Sequence, residues 1–207
     1  MTKLDNQCTR CRRAGQKLFL KGDKCLGPKC LMVKRNFAPG QHGPVKKQRK
    51  VSGYGKQLKE KQSAKRTYGL RERQFSNYVT EASGMTGDTS KILIQYLEAR
   101  LDNVVYRANI GKSRTAARQI VNHGHVTVNG KKLDIPSYRT KVGDVIAIAP
   151  KALKKKIFEN ITETLTKTQA PSWLGLDIKS ASAKVLNTPF VDSVPFSPKD
   201  IIEFYSR

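Results

Sequence analysis

Carboxylates are scarce in this chain. Only 16 of its 207 residues are Asp or Glu, against 40 Lys or Arg, a formal net charge of +24. Self-repulsion on that scale opposes compaction, so a polyanionic partner is expected. Nucleic acid, a dense row of phosphates, fits best. An anionic membrane surface would want a basic amphipathic helix with a strongly apolar face, or a lipid anchor, and the sequence offers neither. Aromatic residues are also few, 7% with a single Trp, and hydrophobic content is 38%, which implies a modest core. No run approaches the roughly 20 apolar residues that span a bilayer. The opening "MTKLDNQ" lacks an apolar signal core, so a soluble protein of the reducing cytoplasm is expected.

Catalytic patterns are missing as well. No HExxH, GxSxG or kinase signature occurs. "NIGKSR" imitates the end of a phosphate-binding loop, but Tyr106 stands where the earlier glycine is required. The three histidines, His42, His123 and His125, have no carboxylate or nucleophile placed to make a general-base set. No enzyme is expected.

Cysteine is absent beyond position 30. All four thiols lie in "CTRCRRAGQKLFLKGDKCLGPKC", spaced C-x2-C-x13-C-x4-C as Cys8, Cys11, Cys25 and Cys30. Two close pairs joined by a loop can point four sulfurs at one tetrahedral Zn²⁺, and Gly27 and Pro28 favour the second bend. A four-cysteine iron–sulfur cluster uses the same ligands and stays open. Four thiolates fill the coordination shell, so such a zinc is structural, contributing on the order of 10 kcal/mol to a module too short to bury much apolar surface. Arg10, Arg12, Arg13, Lys24 and Lys29 can offset its negative charge while facing phosphate.

Basic charge is concentrated toward the start: residues 1–73 hold 21 Lys/Arg against 4 Asp/Glu, and residues 74–207 hold 19 against 12. "KRNFAPGQHGPVKKQRKVSGYG" is punctuated by Gly and Pro and reads as an extended segment ordered against RNA. A cationic helix is expected from about Lys56 to Gly69. The next one buries Phe75, Tyr78, Val79 and Ala82 and stops at Gly84, and a third carries Ile92, Leu93, Tyr96 and Leu97 after a cap at Asp88 or Ser90. A second module follows. Leu101, Val104, Val105 and Ala108 share one face, and Ser113 caps a helix whose inner side is Ala116, Ala117, Ile120 and Val121. Arg114 and Arg118, at i and i+4, are expected on one exposed face at a phosphate-friendly helix start. "HVTVNGKKL" turns at Asn129–Gly130, and "VIAIA" is a buried strand. In the tail, Trp173, Phe190 and Phe196 are expected to pack, and "IIEFYSR" to add a strand or dock on the helical domain.

"LDNVVYR", "SRTAARQIVNHGHVTVNG" and "IPSYRTKVGDVI" resemble the RNA-binding module named after small-subunit ribosomal protein S-four. "CTRCRRAG", "KRNFAPGQHG", "LKEKQSAKRTYGLRERQF" and "IEFYSR" extend the resemblance to the bacterial or organellar ribosomal-protein family nearly end to end, in its zinc-bearing, four-cysteine variant. The resemblance implies a primary binder of small-subunit rRNA that nucleates assembly of the subunit body at a multi-helix junction. It also implies contacts with neighbouring ribosomal proteins near where messenger RNA enters, and an influence on decoding accuracy. Some relatives repress their own messenger RNA. The module alone also occurs in pseudouridine synthases and in a stand-alone heat-shock factor, which are the rival readings.

An α+β fold is therefore expected, with a zinc module and basic extension at 1–45 and a helical domain at 46–97. An α+β RNA-binding domain follows at 98–189, its core module about 98–160, with a tail at about 190–207 returning to the helical domain. Expected RNA contacts are Arg10, Arg12, Arg13, Arg35, Lys46, Lys47, Arg49, Lys50, Lys56, Lys59, Arg66, Arg71 and Arg73, then Lys112, Arg114, Arg118, Asn122, His123 and His125.

Overall fold

A computed structural model describes residues 7–44, 51–166, 168–191 and 194–206. The basic run Lys46, Lys47, Arg49 and Lys50 lies outside the described residues. The chain divides into two compact units, Met1–Ser90 with Ser193–Arg207, and Lys91–Asp192.

The first unit begins with three short helices, α1 (Gln7–Ala14), α2 (Asp23–Leu26) and α3 (Leu31–Lys34). Their small core is Cys11, Ala14, Leu18 and Leu20, with Met32 packed against it. Phe19, between the two leucines, is instead 38% exposed. Helix α4 (Gly53–Thr67) starts where Ser52 Oγ accepts the Gly55 N–H, and α5 (Glu72–Ser83) follows. On α5, Phe75, Tyr78, Val79 and Ala82 are all buried, the face that 3.6-residue periodicity marks. Fully burying a side chain such as Phe75 stabilises by about 2–3 kcal/mol.

Helix α4 has few apolar residues, yet it buries Gln57, Lys61, Ser63 and Thr67. Its cover is α11 (Pro198–Tyr205), which packs on α4 and α5. The interface is a polar zipper. Gln57 Nε2 donates to Glu203 at 2.8 Å, the Ser197 N–H donates to Glu60 at 2.9 Å, and Lys56 pairs with Asp200 at 3.3 Å. Lys61 is matched on two sides: its ammonium sits 2.7 Å from Glu72 and 4.3 Å from the Phe204 ring centroid. A buried lysine requires that kind of pairing. "IIEFY" is thus helix rather than strand, because Ser197 caps it and Pro198 occupies the first turn.

The second unit holds α6 (Thr89–Glu98), α7 (Leu101–Arg107), α8 (Arg114–Asn122), β1 (Val126–Val128), β2 (Lys131–Lys132), β3 (Val145–Ile148), α9 (Pro150–Leu153), α10 (Ile161–Thr166), β4 (Leu174–Asp177) and β5 (Ser182–Val185). Thr89 and Ser90 of α6 fall in the first unit and the rest of the helix in the second. The strands form one antiparallel sheet in the order β2-β1-β3-β5-β4. Leu101, Val104, Val105 and Ala108 are fully buried against Ala117 and Val121 of α8, Ile146 of β3, and Trp173. At Gly111, a Cβ would lie 2.7 Å from Ala117 Cα, so only glycine lets the α7–α8 loop lie this close. Asn129 and Gly130 both have positive φ, as a tight hairpin turn requires, and the Asn129 side chain bonds Asp144 and the Val145 N–H. The order helix, helix, hairpin, strand holds in this α+β unit, but β4 and β5 extend the sheet beyond it. Phe190, expected to pack, is 54% exposed.

Candidate nucleic-acid interface and cysteine centre

In the first unit, α1 and α4 flank a groove of about 240 Å³. Arg13 reaches it from α1, and Lys59, Gln62 and Arg66 from α4, above a floor of Ala14, Gly55 and Leu58. Lys59 and Arg66 lie seven residues apart, two helical turns, so both point the same way. Among the described residues, no carboxylate lines the groove. Three cations from two helices thus line one groove, an arrangement that can hold an anionic oxygen. Arg35, Arg71 and Arg73 are exposed elsewhere in this unit, Arg10 is partly buried, and Lys56 is committed to Asp200. Arg12 is structural: its Nε donates to the Phe37 carbonyl at 2.9 Å and its guanidinium stacks 4.9 Å over the Phe37 ring. It fastens the 35–44 segment to α1.

The four cysteines line one small cavity of about 10 Å³, with Phe19, Leu20, Leu31 and Met32 as its apolar wall. That is room for a single atom-sized occupant. Cys11, Cys25 and Cys30 are buried, and the Lys21 N–H donates to Cys25 Sγ at 3.3 Å. Burial pushes the Cys11 thiol up, and the neighbouring Cys25, Cys8 and Cys30 push it further, against a Leu18 backbone hydrogen bond that lowers it. Among the described residues, no three His, Cys, Asp or Glu side chains stand at metal-binding spacing. The fold brings all four thiols to the lining of one cavity.

In the second unit, α7 and α8 carry an ionic network that sequence spacing does not reveal. Glu98 is fully buried and accepts from Arg107 Nε at 2.8 Å, from Arg107 Nη2 at 2.9 Å and from Asn103 Nδ2 at 2.7 Å. Arg100, also fully buried, grips Asp102 through Nε at 3.0 Å and Nη2 at 2.8 Å. The expectation of an exposed Arg114 is corrected here. Its Nε donates to Asn103 Oδ1 at 2.9 Å, its Nη2 is 3.9 Å from Glu98, and it stacks 4.5 Å over the Tyr106 ring. Arg118 is a third exposed and stands 3.8 Å from Asp102. Four guanidinium groups share two carboxylates, so the surface keeps a positive field while its arginines are held in place.

At the far end of α8, Asn122 and His123 are exposed and His125 is partly buried. The two imidazoles meet edge to face at 5.8 Å, and Lys155 Nζ lies 3.2 Å from His125 Nε2. Burial lowers the His125 pKa, and the charges of Lys155, His123 and Lys132 lower it further. Lys112 is exposed at the start of α8. Among the described residues, no helix is long and apolar enough to cross a membrane.

Residues 3–98 match the family described as ribosomal protein S4/S9 N-terminal domain, and residues 99–146 match the S4 domain. The chain is 48% identical over 202 residues to the small ribosomal subunit protein uS4 of Clostridioides difficile (strain 630), which spans 97% of this chain and 96% of that relative. Proteins of the same name from Acidobacterium capsulatum and Thermus thermophilus are 49% and 45% identical over the same shares.

Proposed function

Because the chain belongs to the family of small ribosomal subunit protein uS4, whose members are structural ribosomal proteins and not enzymes, we propose that it acts as a cationic clamp on folded small-subunit rRNA. The observation that carries the mechanism is the groove where Arg13, Lys59 and Arg66 converge from α1 and α4, with no carboxylate among its described lining residues. Folded RNA offers a protein its phosphates, its shape and its 2′-hydroxyls more than its paired base edges. Rigid helices that hold cations at fixed separations select one arrangement of phosphates. Each phosphate neutralised releases counterions, which drives binding.

The finer reading follows from the same charge distribution. The cation-rich first unit and, in the second unit, the α8 surface each suit RNA phosphates, which fits a protein bound at a junction of several RNA helices, where early binding would nucleate assembly of the subunit body. Neighbouring ribosomal proteins, and messenger RNA where it enters the particle, are the further partners of this reading, with an influence on decoding accuracy. Cys8, Cys11, Cys25 and Cys30 would hold one structural Zn²⁺, supported by the single small cavity they line. The ion would supply a cross-link in place of a core and would neutralise the thiolates; an iron–sulfur cluster is the alternative occupant.

Sucrose-gradient sedimentation of cell extract tests the reading. The chain is expected at one copy per small subunit. A predominantly free, slowly sedimenting chain would overturn it.

A further inference from the structure

In the second unit, the α7–α8 loop and the segment 156–164 face each other across an open groove of about 260 Å³. Its floor is the edge of the domain core, with Ile110, Ile120 and Ile161 buried beneath it. One wall is Ile157, 68% exposed on the 3-10 turn Lys156–Phe158. Amide side chains stand at the rim. Asn109 donates to Thr168 Oγ1 at 2.9 Å, which leaves its carbonyl oxygen without a partner among the described residues, and the Asn160 amide bonds none of them. Lys112 and Lys156 also line the groove, and among the described residues no carboxylate does. The loop is held firmly: Asn109 adopts φ 56°, and Gly111 lies too close to Ala117 for any side chain.

These features constrain the occupant. Two lysines, with no acid among the described lining residues, reject a cation or a basic peptide. The volume falls below the roughly 300 Å³ at which small-molecule sites begin, so one residue-sized group fits. An apolar wall beside free amide groups suits a flat ring with a polar edge, and the lysines suit an attached phosphate. A nucleotide has all three parts. Unpaired nucleotides are also where proteins read RNA bases, since paired bases hide their edges in a deep groove.

We propose that this groove seats one unpaired nucleotide of the bound RNA. The base lies against Ile157 and Ile120, its edge faces Asn109 and Asn160, and its phosphate lies between Lys112 and Lys156. The inference rests on the rRNA-binding reading and adds base recognition to it, whereas the groove between α1 and α4 offers cations for phosphate alone.

The test uses the full chain and small-subunit rRNA transcribed in vitro. Ultraviolet crosslinking of the wild type is expected to leave a mononucleotide adduct on the 156–164 peptide, read by mass spectrometry. Ile157→Asp is expected to weaken binding about tenfold, within the range a single base contact supplies. Ile135→Asp, at an isoleucine 52% exposed outside the groove, controls for the added charge and is expected to cost less than twofold. Asn160→Ala, expected to weaken binding several-fold, decides the matter if Ile157→Asp misfolds by circular dichroism. Wild-type protein that ignores the rRNA overturns the rRNA-binding reading itself. Wild-type binding with equal losses for the two aspartate variants overturns the groove and leaves that reading standing. Unchanged rRNA affinity with an acidic peptide bound in the groove also overturns it.

Discussion

Arg114 Nε donates to Asn103 Oδ1 at 2.9 Å, and the same Asn103 donates through Nδ2 to the buried carboxylate of Glu98. A surface-charged helix start is therefore also a structural joint. Arg114→Glu would bring a carboxylate against Glu98 and strand the Asn103 carbonyl. A loss of about 2–3 kcal/mol in unfolding free energy is expected, since buried ionic networks lose most when one partner reverses sign. Arg118→Glu, at a more exposed position 3.8 Å from Asp102, should cost less. Urea unfolding of the single variants checks this, and equal midpoints for wild type and Arg114→Glu would contradict the network. Weak RNA binding by Arg114→Glu must then be read against its folded fraction.

The docking of α11 on α4 and α5 should be acid-labile. Partial burial pushes the Glu72 carboxyl up, but hydrogen bonds from Lys61, Lys65 and Tyr205 outweigh it and hold the pKa down to about 2, against an ordinary 4.5. The Tyr205 phenol is pushed above its usual range by burial and by that same carboxylate. A depressed carboxylate contributes stability that is complete above pH 4.5 and is lost as pH falls toward 2. With the side chain 46% exposed, solvent screening limits the contribution to about 1 kcal/mol. Glu72→Gln should therefore unfold earlier than wild type in urea at pH 7, and the gap should narrow through pH 4.5–2.5 and close below about pH 2. A constant gap would refute the linkage.

Metal content separates the cysteine reading from its alternatives. Cys25→Ser removes a thiol that already accepts the Lys21 N–H and should abolish stoichiometric zinc in native mass spectrometry. The first helices should loosen, raising hydrogen exchange in 7–34, while exchange in 101–148 stays unchanged. Retained zinc in the variant would exclude Cys25 as a ligand. Iron with acid-labile sulfide in the wild type would assign the cluster instead.

Local periodicity made the helices legible. Phe75, Tyr78, Val79 and Ala82, then Leu101, Val104, Val105 and Ala108, form stripes fixed by residue spacing alone, and all eight are buried. Asn129–Gly130 fixed a turn for the same reason. What failed was non-local. β4 and β5 are four residues each, interrupted by Gly175 and Lys184, and acquire strand character only by pairing with each other and with β3. Lys61 reads as solvated on a cationic helix until α11 arrives from the other end of the chain. Spacing put Arg114 and Arg118 on one face, but which face is covered depends on Glu98 and Asp102. The α11 start carried a readable signal, Ser197 followed by Pro198, that outweighs the β-prone "IIEFY".

Salt dependence gives the most direct test of the clamp between α1 and α4. If the full chain neutralises ~10 phosphates, the logarithm of its rRNA affinity should fall against the logarithm of salt with a slope of about −7 to −9. Arg13→Gln, Lys59→Gln and Arg66→Gln together remove three cations that face one groove. Each phosphate contact carries roughly 0.7–0.9 of slope, so the triple variant should be shallower by about 2–3 and weaker across all RNA sequences alike. Thermal unfolding of the triple variant, followed in parallel, separates a lost phosphate contact from a loss of folded protein. Filter binding between 50 and 400 mM salt measures both slope and affinity. An unaltered slope would mean that these side chains face water, and that the phosphates are held elsewhere on the chain.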